Sequence, residues 1–364
     1  MTQSTSQLFQ SNQDTSDYRR GNRSRIKKKV ASWLTPQTKE LFFEFGNLWT
    51  HIYDDQKKLI SINTCYLQEN FSQELVTFGK EAFSLLGKSP AGMSVVFPIK
   101  KNCIYDLGQF EQFLSSLLSL MRSRESWNWL TRIKAVCIIS DSCTNLDRQL
   151  YTQTFQKVGI TDINFKRKSA DLLEKITGCS SFSIENSKTE ESQIVILDIG
   201  DQVSELVIGS LRKVSFWKSL DFGGAQITNS IMQYLKVHHE LQVSYQQAIE
   251  IKHQLPVIEK ITKSSSTAQL PELGSINIRG VDLSEGLIVT KKIQLQSIIE
   301  VVYQQLPSLL HQIKKTFMKV KSQQLLFALE NGIVLSGGGA RLAGLADYLS
   351  NELSINVCMS SKKF

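Results

Sequence analysis

A carboxylate at the end of a buried strand, followed by a tight turn, is the feature of this sequence best suited to chemistry. The stretch IVILDIGDQVSELVIGS, residues 194–210, predicts a strand that ends at Asp198, a turn through Gly200 and Asp201, and a returning strand. An acidic side chain at such a strand end can ligate a metal ion, and backbone N–H groups in a glycine turn can bind phosphate. The hairpin therefore indicates a phosphate site with Asp198 as a metal ligand; the alternative is that Asp198 only caps the turn.

A glycine-rich turn follows another buried strand near the end of the chain. The stretch IVLSGGGARLAGL, residues 333–345, places Gly337, Gly338 and Gly339 between a predicted strand and a predicted helix. Consecutive glycines let the backbone approach a ligand closely, and a helix that follows directs its positive N-terminus at the same point. A glycine run alone often serves only packing, so the indication of a nucleotide site comes from this turn and the acidic hairpin together.

The elements that must position these residues alternate between strand hairpins and helices. Residues 41–53 predict a first hairpin with its turn at Gly46 and Asn47, and residues 135–141 predict a buried strand. Two similar halves with one hairpin each indicate an α/β fold. Helices are predicted within residues 144–160, 161–178, 216–239 and 244–255, and one long helix over 295–320 with a kink at Pro307.

The positive charge of the chain is concentrated near its N-terminus. The chain has 364 residues and a formal net charge of +8, and residues 19–29, RRGNRSRIKKK, contain seven basic residues and no acid. The rest of the sequence is therefore nearly neutral. Residues 1–18 are polar and rich in Ser, Gln and Thr, which is typical of a disordered tail.

A basic amphipathic helix is predicted where this basic run ends. Apolar side chains recur there at helical spacing and are flanked by three lysines. Such a helix suits an anionic membrane surface, and the alternatives are a nucleic-acid-binding arm or a solvated tail. The apolar stripe favours the membrane, so we expect a protein at the inner face of the cytoplasmic membrane, with no nucleic-acid partner. The predicted membrane-binding residues are Ile26, Lys27, Lys28, Lys29, Val30, Trp33 and Leu34.

Composition narrows the class of protein further. Apolar residues make up 41% and charged residues 21% of the chain, as in ordinary globular proteins. No apolar run reaches the roughly 18 residues of a membrane-spanning helix, and the first residues lack the apolar core of a secretory signal. The six cysteines form no CxxC pair, so we expect reduced thiols in a cytoplasmic protein.

Several blocks of the sequence, taken in order, resemble the MreB family of bacterial actin homologues within the actin-like ATPase superfamily. The resemblance runs from about Leu41 to Val357. DFGGAQITNSIMQYL resembles the family's IGGDRFDEAIINYV segment, and INIRGVDLSEGLIVTKK resembles its RGRNLAEGLPR stretch. GIVLSGGGARLAGLADYL resembles its adenosine-binding motif, and residues 79–114 resemble the block that follows its first hairpin.

This resemblance implies an α/β actin-like ATPase fold, with two lobes of duplicated mixed-sheet and helix domains around a central nucleotide cleft. The chain stops at Phe364, short of the family's closing helix, so the C-terminus is expected to be shortened. The implied division is a tail and membrane-binding segment over 1–37, lobe I over 38–190 with a small subdomain at about 60–100, and lobe II over 191–364 with a small subdomain at about 227–289.

ATP with Mg²⁺ is the cofactor that the resemblance implies. Glu44 matches a metal-side Asp of the family, and Asp106 matches an acid near its cleft, although an Asp before a helix is as often an N-cap. Asp198 is again the residue expected at the metal. The positions that match the family's nucleotide-binding motifs are Gly46, Asn47, Asp198, Gly200, Asp201, Lys252, Gly337, Gly338 and Gly339.

Several of these positions depart from the family's pattern. Asn47 replaces a phosphate-binding Thr, Trp49 replaces a small or polar residue, and Asp201 replaces a glycine. Like charges repel by about 4 kcal/mol at ~4 Å and an effective dielectric near 20, so Asp201 is expected to weaken triphosphate binding roughly a thousandfold. Trp49 is expected to fill the vacated phosphate cavity as part of the core.

The catalytic carboxylate of the family also has no counterpart here. Lys166 and Arg167 occupy the place of the acid that positions the attacking water. An Arg side chain cannot act as the base or polarise water as a carboxylate does, so Arg167 predicts an ATPase that is weak at most. The adenine side of the site is expected to be retained, so the cofactor is ATP with weakened binding.

The resulting hypothesis is a membrane-associated, MreB-like filament subunit that organises cell shape and wall synthesis, with degenerate ATP-binding motifs. Its expected partners are further copies of itself or a paralogue, and membrane-bound wall-synthesis proteins. The alternatives are a non-polymerising actin-fold adaptor of the division or pilus-assembly type, and a pseudo-ATPase scaffold. An active phosphotransferase of the same fold is disfavoured by Arg167 and by the missing glycines.

Overall fold

The structure is a computed structural model, and it describes residues 38–54, 57–124, 131–177, 193–210, 213–255 and 274–360. The predicted tail and the seven predicted membrane-binding residues lie outside this part of the chain. Among the described residues, no helix is both long and apolar enough to cross a membrane. The five cysteines within these ranges all carry free thiols, which agrees with the expected reduced state.

The first half of the chain begins with a hairpin and ends with a helix that contacts both halves. Its helix α3 starts as the sequence predicted, because the Thr144 side chain accepts a hydrogen bond from the Asp147 N–H at 3.2 Å. The elements in chain order are β1 (Thr38–Phe45), β2 (Trp49–Asp54), β3 (Lys57–Asn63), β4 (Tyr66–Glu69), β5 (Leu75–Phe78), α1 (Lys80–Ser84), β6 (Met93–Val96), β7 (Ile99–Lys100), β8 (Cys103–Ile104), α2 (Leu107–Arg124), β9 (Arg132–Ile139), α3 (Asn145–Lys157), β10 (Asp162–Arg167) and α4 (Lys168–Thr177).

The second half repeats the hairpin and adds more helices. A 3₁₀ turn over Gly339–Arg341 follows its fourth large-sheet strand. The elements in chain order are β11 (Ile194–Ile199), β12 (Ser204–Ser210), β13 (Lys213–Leu220), α5 (Gly224–His239), β14 (Leu241–Gln242), α6 (Tyr245–Gln254), β15 (Ser275–Asp282), β16 (Ile288–Gln294), α7 (Leu295–Tyr303), α8 (Leu306–Phe317), α9 (Ser322–Glu330), β17 (Ile333–Ser336), α10 (Leu345–Leu353) and β18 (Val357–Met359).

Two five-stranded sheets have the same strand order, which shows the duplication directly. The first runs β10-β9-β1-β2-β3. The second, written from the matching edge, runs β18-β17-β11-β12-β13, so β11 and β12 take the places of β1 and β2. In each sheet the hairpin strands pair antiparallel, and the first hairpin strand pairs parallel with a later strand on its other side. Each hairpin turn therefore lies at the same edge of its sheet as the carboxyl end of that later strand. This edge is where the predicted site residues are found.

Each half carries a smaller three-stranded sheet beside its large one. In the first half the order is β5-β4-β6, and in the second half it is β14-β15-β16. Residues of the second small sheet line the same cavity as the hairpin tips, and beside the first small sheet the lining comes from residues 86–88, after α1, and from Phe97, just after β6. The arrangement is the two-lobed α/β actin-like ATPase fold that the sequence predicted.

Burial patterns explain why these strands form. In β1 the residues Leu41, Phe43 and Phe45 are buried, and those between them are half-buried, which matches a strand with one face on the core. In β11 all six residues are buried, since helices cover both faces of the second sheet. One cover is α4, which belongs to the first half yet packs Leu173 and its neighbours against Ile196.

The predicted long helix over 295–320 is wrong in one respect. The structure has two helices there, α7 and α8, and Pro307 lies in the first turn of the second one. Proline has no N–H group, and the first turn of a helix is where that group has no intrahelical partner. The proline therefore marks a helix start, where the sequence analysis had expected a kink.

Candidate nucleotide cleft

The two predicted hairpins form turns of the same geometry. The Gly46 N–H donates to the Trp49 carbonyl oxygen at 2.9 Å, and the Gly200 N–H donates to the Val203 carbonyl oxygen at 3.1 Å. A Cβ atom added at Gly46 or Gly200 would lie 2.8 Å or 2.7 Å from that same carbonyl oxygen. Both positions therefore need glycine for the turn itself, whatever the turn binds.

The tips of the two hairpins meet across the cleft. The Asn47 amide Nδ2 donates to Asp201 Oδ2 at 2.6 Å, and the two residues are 154 positions apart in the sequence. Burial raises the pKa of the Asp201 carboxyl, against the lowering effects of the Asn47 hydrogen bond, the Lys252 charge and a Tyr245 hydrogen bond. The sequence had predicted that Asp201 faces a phosphate, but its carboxylate is directed at Asn47.

Asp198 is paired with a lysine that the sequence analysis missed. Asp198 is 5% exposed, and its Oδ2 atom lies 2.7 Å from the Nζ atom of Lys168, whose side chain is 16% exposed. Burial alone lowers the pKa of Lys168, but the carboxylates of Asp198, Glu205 and Glu44 outweigh it, and the pKa is raised. The lysine stays charged at neutral pH, so the Asp198 carboxylate has a permanent cation beside it.

Glu205 adds a second buried carboxylate to the same place. It lies opposite Asp198 in the β11–β12 pair and is 3% exposed. Ser140 Oγ donates to its Oε1 atom at 2.5 Å, whereas its Oε2 atom is buried with no hydrogen-bond partner among the described residues. Burial raises the pKa of Glu205, and the Lys168 charge and the Ser140 hydrogen bond oppose this. The Lys168 ammonium therefore contacts Asp198 and also attracts the Glu205 carboxylate.

A magnesium ion does not fit at Asp198 in this arrangement. One carboxylate oxygen is in contact with the Lys168 ammonium. The other, Oδ1, lies only 2.9 Å from where a Cβ atom on Gly337 would be, so the glycine turn packs closely beside it. Mg²⁺ requires a near-octahedral shell of oxygen ligands, and an adjacent ammonium repels it. The prediction of Asp198 as a metal ligand therefore has no support from the side-chain arrangement.

The glycine turn packs directly on the strand that carries Asp198. Gly337 has φ +85°, and an added Cβ would lie 2.4 Å from the Ile199 carbonyl oxygen; at Gly339 it would lie 2.4 Å from Ile199 Cγ2. Gly338 differs, because nothing lies within 4 Å of an added Cβ. Two of the three glycines thus serve packing, and the third leaves the backbone open toward the cleft.

The helix after the glycine turn does not begin where the sequence predicted. Gly339–Arg341 form a 3₁₀ turn, and α10 begins only at Leu345, after Gly344 with φ +78°. The expectation that a helix N-terminus directly follows the glycines is therefore wrong. Ser336, just before the turn, is in register with Asp198, and its Oγ atom is buried without a hydrogen-bond partner in the described part of the chain.

Lys252 lies behind the second hairpin. Its Nζ atom donates to the Gly224 carbonyl oxygen at 3.0 Å and to Thr228 Oγ1 at 2.8 Å, so it holds the first turn of α5. Burial lowers the pKa of Lys252, and the Asp201 charge opposes this. A Cβ added at Gly224 would lie 3.2 Å from Lys252 Nζ and 3.8 Å from the Gly200 carbonyl oxygen. Lys252 and the hairpin are therefore neighbours, and the predicted contact of Lys252 with a nucleoside stays a prediction.

An open cavity of about 920 Å³ begins at the joined hairpin tips. Its volume is within the range of small-molecule sites. The walls come from the second small sheet, from α5 and α6, and from residues 86–88 and Phe97 of the first half, and the polar groups Asn47, Asp201 and Tyr245 lie among its lining residues. The two hairpin tips thus line one cavity, whereas Lys252 and the glycine turn lie next to the second hairpin but outside this lining, and none of these residues is shown to bind a ligand.

The lysine that reaches the cleft is neither of the two basic residues that the sequence placed there. Lys166 Nζ contacts Asp171 at 2.9 Å and Glu174 at 2.6 Å, while Arg167 is exposed. The next residue, Lys168, begins α4 and extends into the cleft. The position of Lys168 in the sequence could have indicated this, because the residue follows β10, a parallel strand that ends at the same sheet edge as the hairpin turns.

Three further predictions can be compared with the structure. Trp49 is 45% exposed and stacks on His51, so the expectation that it fills the cleft as core is wrong. Asp106 Oδ1 accepts a hydrogen bond from the Gln109 N–H at 2.8 Å, which is the helix-capping alternative. Glu44 Oε2 lies 3.6 Å from the Nζ atom of Lys175, at the side of the Asp198–Lys168 pair.

Comparisons with solved structures give the fold. The chain is similar to the crystal structure of MreB5 of Spiroplasma citri bound to ADP, with a TM-score of 0.76 and 17% identity over 90% of this chain and 93% of that one. It is also similar to the MamK double helical filament, with a TM-score of 0.64 and 17% identity over 89% of this chain and 94% of that one.

Comparisons with sequences give the family. The chain is 22% identical over 288 residues to the cell shape-determining protein MreB of Escherichia coli, covering 79% of this chain and 78% of the relative. It is 18% identical over 289 residues to the cell shape-determining protein Mbl of Bacillus subtilis, covering 79% and 81%. The MreB/Mbl protein family matches residues 39–364, which includes both large sheets and the cleft between them. The chain therefore belongs to the MreB/Mbl family of actin-like cytoskeletal proteins.

Proposed function

We propose that this protein is a filament subunit that assembles at the inner face of the cytoplasmic membrane and helps organise cell shape and wall synthesis. The observation that carries the proposal is the unbroken family match over residues 39–364, on a chain whose two lobes keep the duplicated sheets. The relative MamK forms a double helical filament, which supports self-association or co-assembly with a paralogue. The amphipathic segment at residues 26–34 supports the membrane location.

Electron microscopy of the full chain on anionic and on neutral vesicles tests this proposal. Filaments bound to the anionic vesicles are expected, because the basic residues near the N-terminus are attracted to that surface. The matched measurement is sedimentation with and without ATP. A protein that stays monomeric and unbound under all of these conditions would contradict the proposed function.

The nucleotide proposal is more limited. We infer that the glycine turn and Lys252 hold the nucleoside end of ATP, and that hydrolysis is weak at most. MreB5 of Spiroplasma citri is crystallised with ADP and with AMPPNP, which supports a nucleotide in this cleft. The joined tips of the hairpins, through Asn47 and Asp201, are the reason to expect weak binding of the phosphates.

Calorimetric titration of the full chain with ATP measures the nucleotide site. A dissociation constant in the micromolar range would support a functioning nucleotide site. If no heat is detected at millimolar ATP, the protein acts as a scaffold without a functioning nucleotide site. The titration is repeated with AMP, because a site that holds mainly the nucleoside should bind AMP and ATP with similar affinity. A large preference for ATP would contradict the proposed loss of phosphate contacts.

An adaptor that does not polymerise is the second candidate function. The Asn47–Asp201 hydrogen bond favours it, because this contact joins the two lobes at the position where the phosphate turns meet. An actin-fold protein whose lobes are held together by its own side chains has less need of a nucleotide to close. Analytical ultracentrifugation at high concentration separates the two candidates, since an adaptor gives one discrete species and a filament subunit gives a polymer.

A further inference from the structure

We propose that the Lys168 ammonium is a tethered replacement for the divalent cation in this cleft. It neutralises the Asp198 carboxylate permanently, so that Asp198 requires no metal ion. The inference rests on the proposed nucleotide cleft for its biological meaning. The charge replacement itself depends only on side-chain contacts in the described residues.

The first argument is the concentration of negative charge. Asp198 and Glu205 are both buried on neighbouring strands, and Glu44 lies near the same lysine. Buried carboxylates without a compensating cation are strongly unfavourable, so this place requires positive charge. Lys168 supplies it at 2.7 Å from Asp198 Oδ2, which is a direct hydrogen-bonded ion pair.

The second argument is that the lysine is held in place by the fold. Lys168 is the first residue of α4, and the next residue, Ser169, donates from its N–H and its Oγ to the two carboxylate oxygens of Asp141, at 2.9 Å and 2.7 Å. Further along α4, Leu173 packs against the second sheet. The start of this helix is therefore fixed between the two lobes, and this holds the lysine side chain next to Asp198.

The third argument is that a metal ion and this ammonium are mutually exclusive. The Lys168 contact uses one oxygen of Asp198, and the ammonium repels a second cation from the other oxygen, beside which the glycine turn at Gly337 packs. The buried Oε2 atom of Glu205, which has no hydrogen-bond partner in the described ranges, is the remaining oxygen. If the ammonium is removed, the carboxylates of Asp198 and Glu205 become the hard oxygen donors that Mg²⁺ and Mn²⁺ prefer.

The test uses the full chain without nucleotide, so that it does not depend on the proposed function. For the wild-type protein we expect the same melting temperature in millimolar MgCl₂ and in EDTA, and no saturable Mn²⁺ binding by electron paramagnetic resonance. For Lys168→Ala we expect a lower melting temperature in EDTA that Mg²⁺ or Mn²⁺ restores. We expect Mn²⁺ affinity at least about tenfold higher than in wild type, because one repelling charge is gone.

Two variants make the result specific. Lys166→Ala is the matched control, since Lys166 is paired with Asp171 and Glu174 away from Asp198 and should gain no metal binding. The double variant Lys168→Ala with Asp198→Asn should lose the Mn²⁺ site that the single variant gained. If Lys168→Ala does not fold, Lys168→Met, which keeps the apolar stem of the side chain, replaces it. The wild-type measurements of Mn²⁺ binding test the proposal independently of either variant.

Two outcomes would overturn the proposal. One is saturable Mn²⁺ binding to the wild-type protein that Asp198→Asn abolishes, since this would show that metal and lysine coexist. The other is a folded Lys168 variant that gains no metal binding. Absence of filaments or of ATP binding would count against the proposed function and would leave these metal measurements unaffected.

Discussion

At the scale of single residues, two departures from the family pattern explain one another. Compared with the family pattern, Asn47 replaces a phosphate-binding Thr in the first hairpin turn, and Asp201 adds a negative charge in place of a glycine in the second. In the structure they form one hydrogen bond of 2.6 Å between the lobes. A buried carboxylate requires hydrogen-bond donors, and the Asn47 amide is one of them. A hydroxyl side chain at the same position is shorter and would not reach the carboxylate. The two residues are therefore best treated as one unit.

The first prediction removes this donor. Asn47→Ala leaves the half-buried Asp201 carboxylate without its 2.6 Å hydrogen bond, so we expect the free energy of unfolding to fall by about 1–3 kcal/mol. Urea denaturation at neutral pH measures it. Asn164→Ala, at an exposed position of β10, is the control and should change stability by less than about 0.5 kcal/mol. Equal effects of the two substitutions would show that the hydrogen bond is unimportant.

The second prediction concerns pH and follows from the raised pKa of Asp201. Because the folded pKa is above the unfolded value of about 4, wild-type stability falls as pH rises from there through the folded pKa. Asp201→Asn has no proton to lose in this window. Its stability relative to wild type should therefore increase from pH 4 to pH 7, by about 1.4 kcal/mol for each pH unit between the two pKa values.

Denaturation of both proteins at several pH values checks this prediction. A difference that is constant from pH 4 to pH 7 would mean that burial does not raise the pKa of this carboxyl.

At the scale of elements, turns and strand ends position the cleft more than helices do. Both hairpins need a glycine for their own backbone, and the glycine turn needs two of its three glycines to pack on β11. The helix that follows begins too late to direct its N-terminus at the turn. The helix that does matter is α4, because its first residue reaches Asp198 and its apolar face covers the second sheet.

The third prediction compares two adjacent glycines. Gly337→Ala places a side chain on a residue with φ +85° and 2.4 Å from a carbonyl oxygen, so we expect a loss of at least about 2 kcal/mol of stability. Gly338→Ala, where an added Cβ has nothing within 4 Å, is the matched control and should be nearly neutral or slightly stabilising. Thermal denaturation distinguishes them, and similar effects would contradict the packing role of Gly337.

At the scale of the whole molecule, charge divides the chain into two parts. The basic residues at 19–29 account for most of the net charge of +8, and the actin-like body is nearly neutral. Attraction to an anionic surface should therefore come from the N-terminal segment, while the proposed contacts between subunits should come from the described body. This division predicts that membrane binding and assembly can be separated by substitution.

The fourth prediction tests that separation. Replacing Lys27, Lys28 and Lys29 with Glu should abolish co-sedimentation with anionic vesicles, since each basic residue near such a surface contributes about 1 kcal/mol. Assembly without vesicles should be unchanged. Wild-type vesicle binding should weaken as salt is raised, because the interaction is screened over about 10 Å at 0.1 M. Vesicle binding that survives the triple substitution would place the membrane contact elsewhere on the protein.

The sequence by itself determined the elements and their order. The alternation of hairpins and helices, the glycines at Gly46, Gly200 and Gly337, and the blocks shared with the MreB family were sufficient to predict a two-lobed actin-like fold. These features are local, because the periodicity of apolar residues and the backbone freedom of glycine act within a few positions of one another.

Only the tertiary structure decided which side chains meet in the cleft. The Asn47–Asp201 hydrogen bond and the Lys168–Asp198 ion pair each join residues from different lobes. Their formation depends on how α4 and the two large sheets pack together, and no local pattern in the sequence records that packing. A basic residue next to a strand end looks the same in the sequence whether it is exposed, as Arg167 is, or buried against a carboxylate, as Lys168 is.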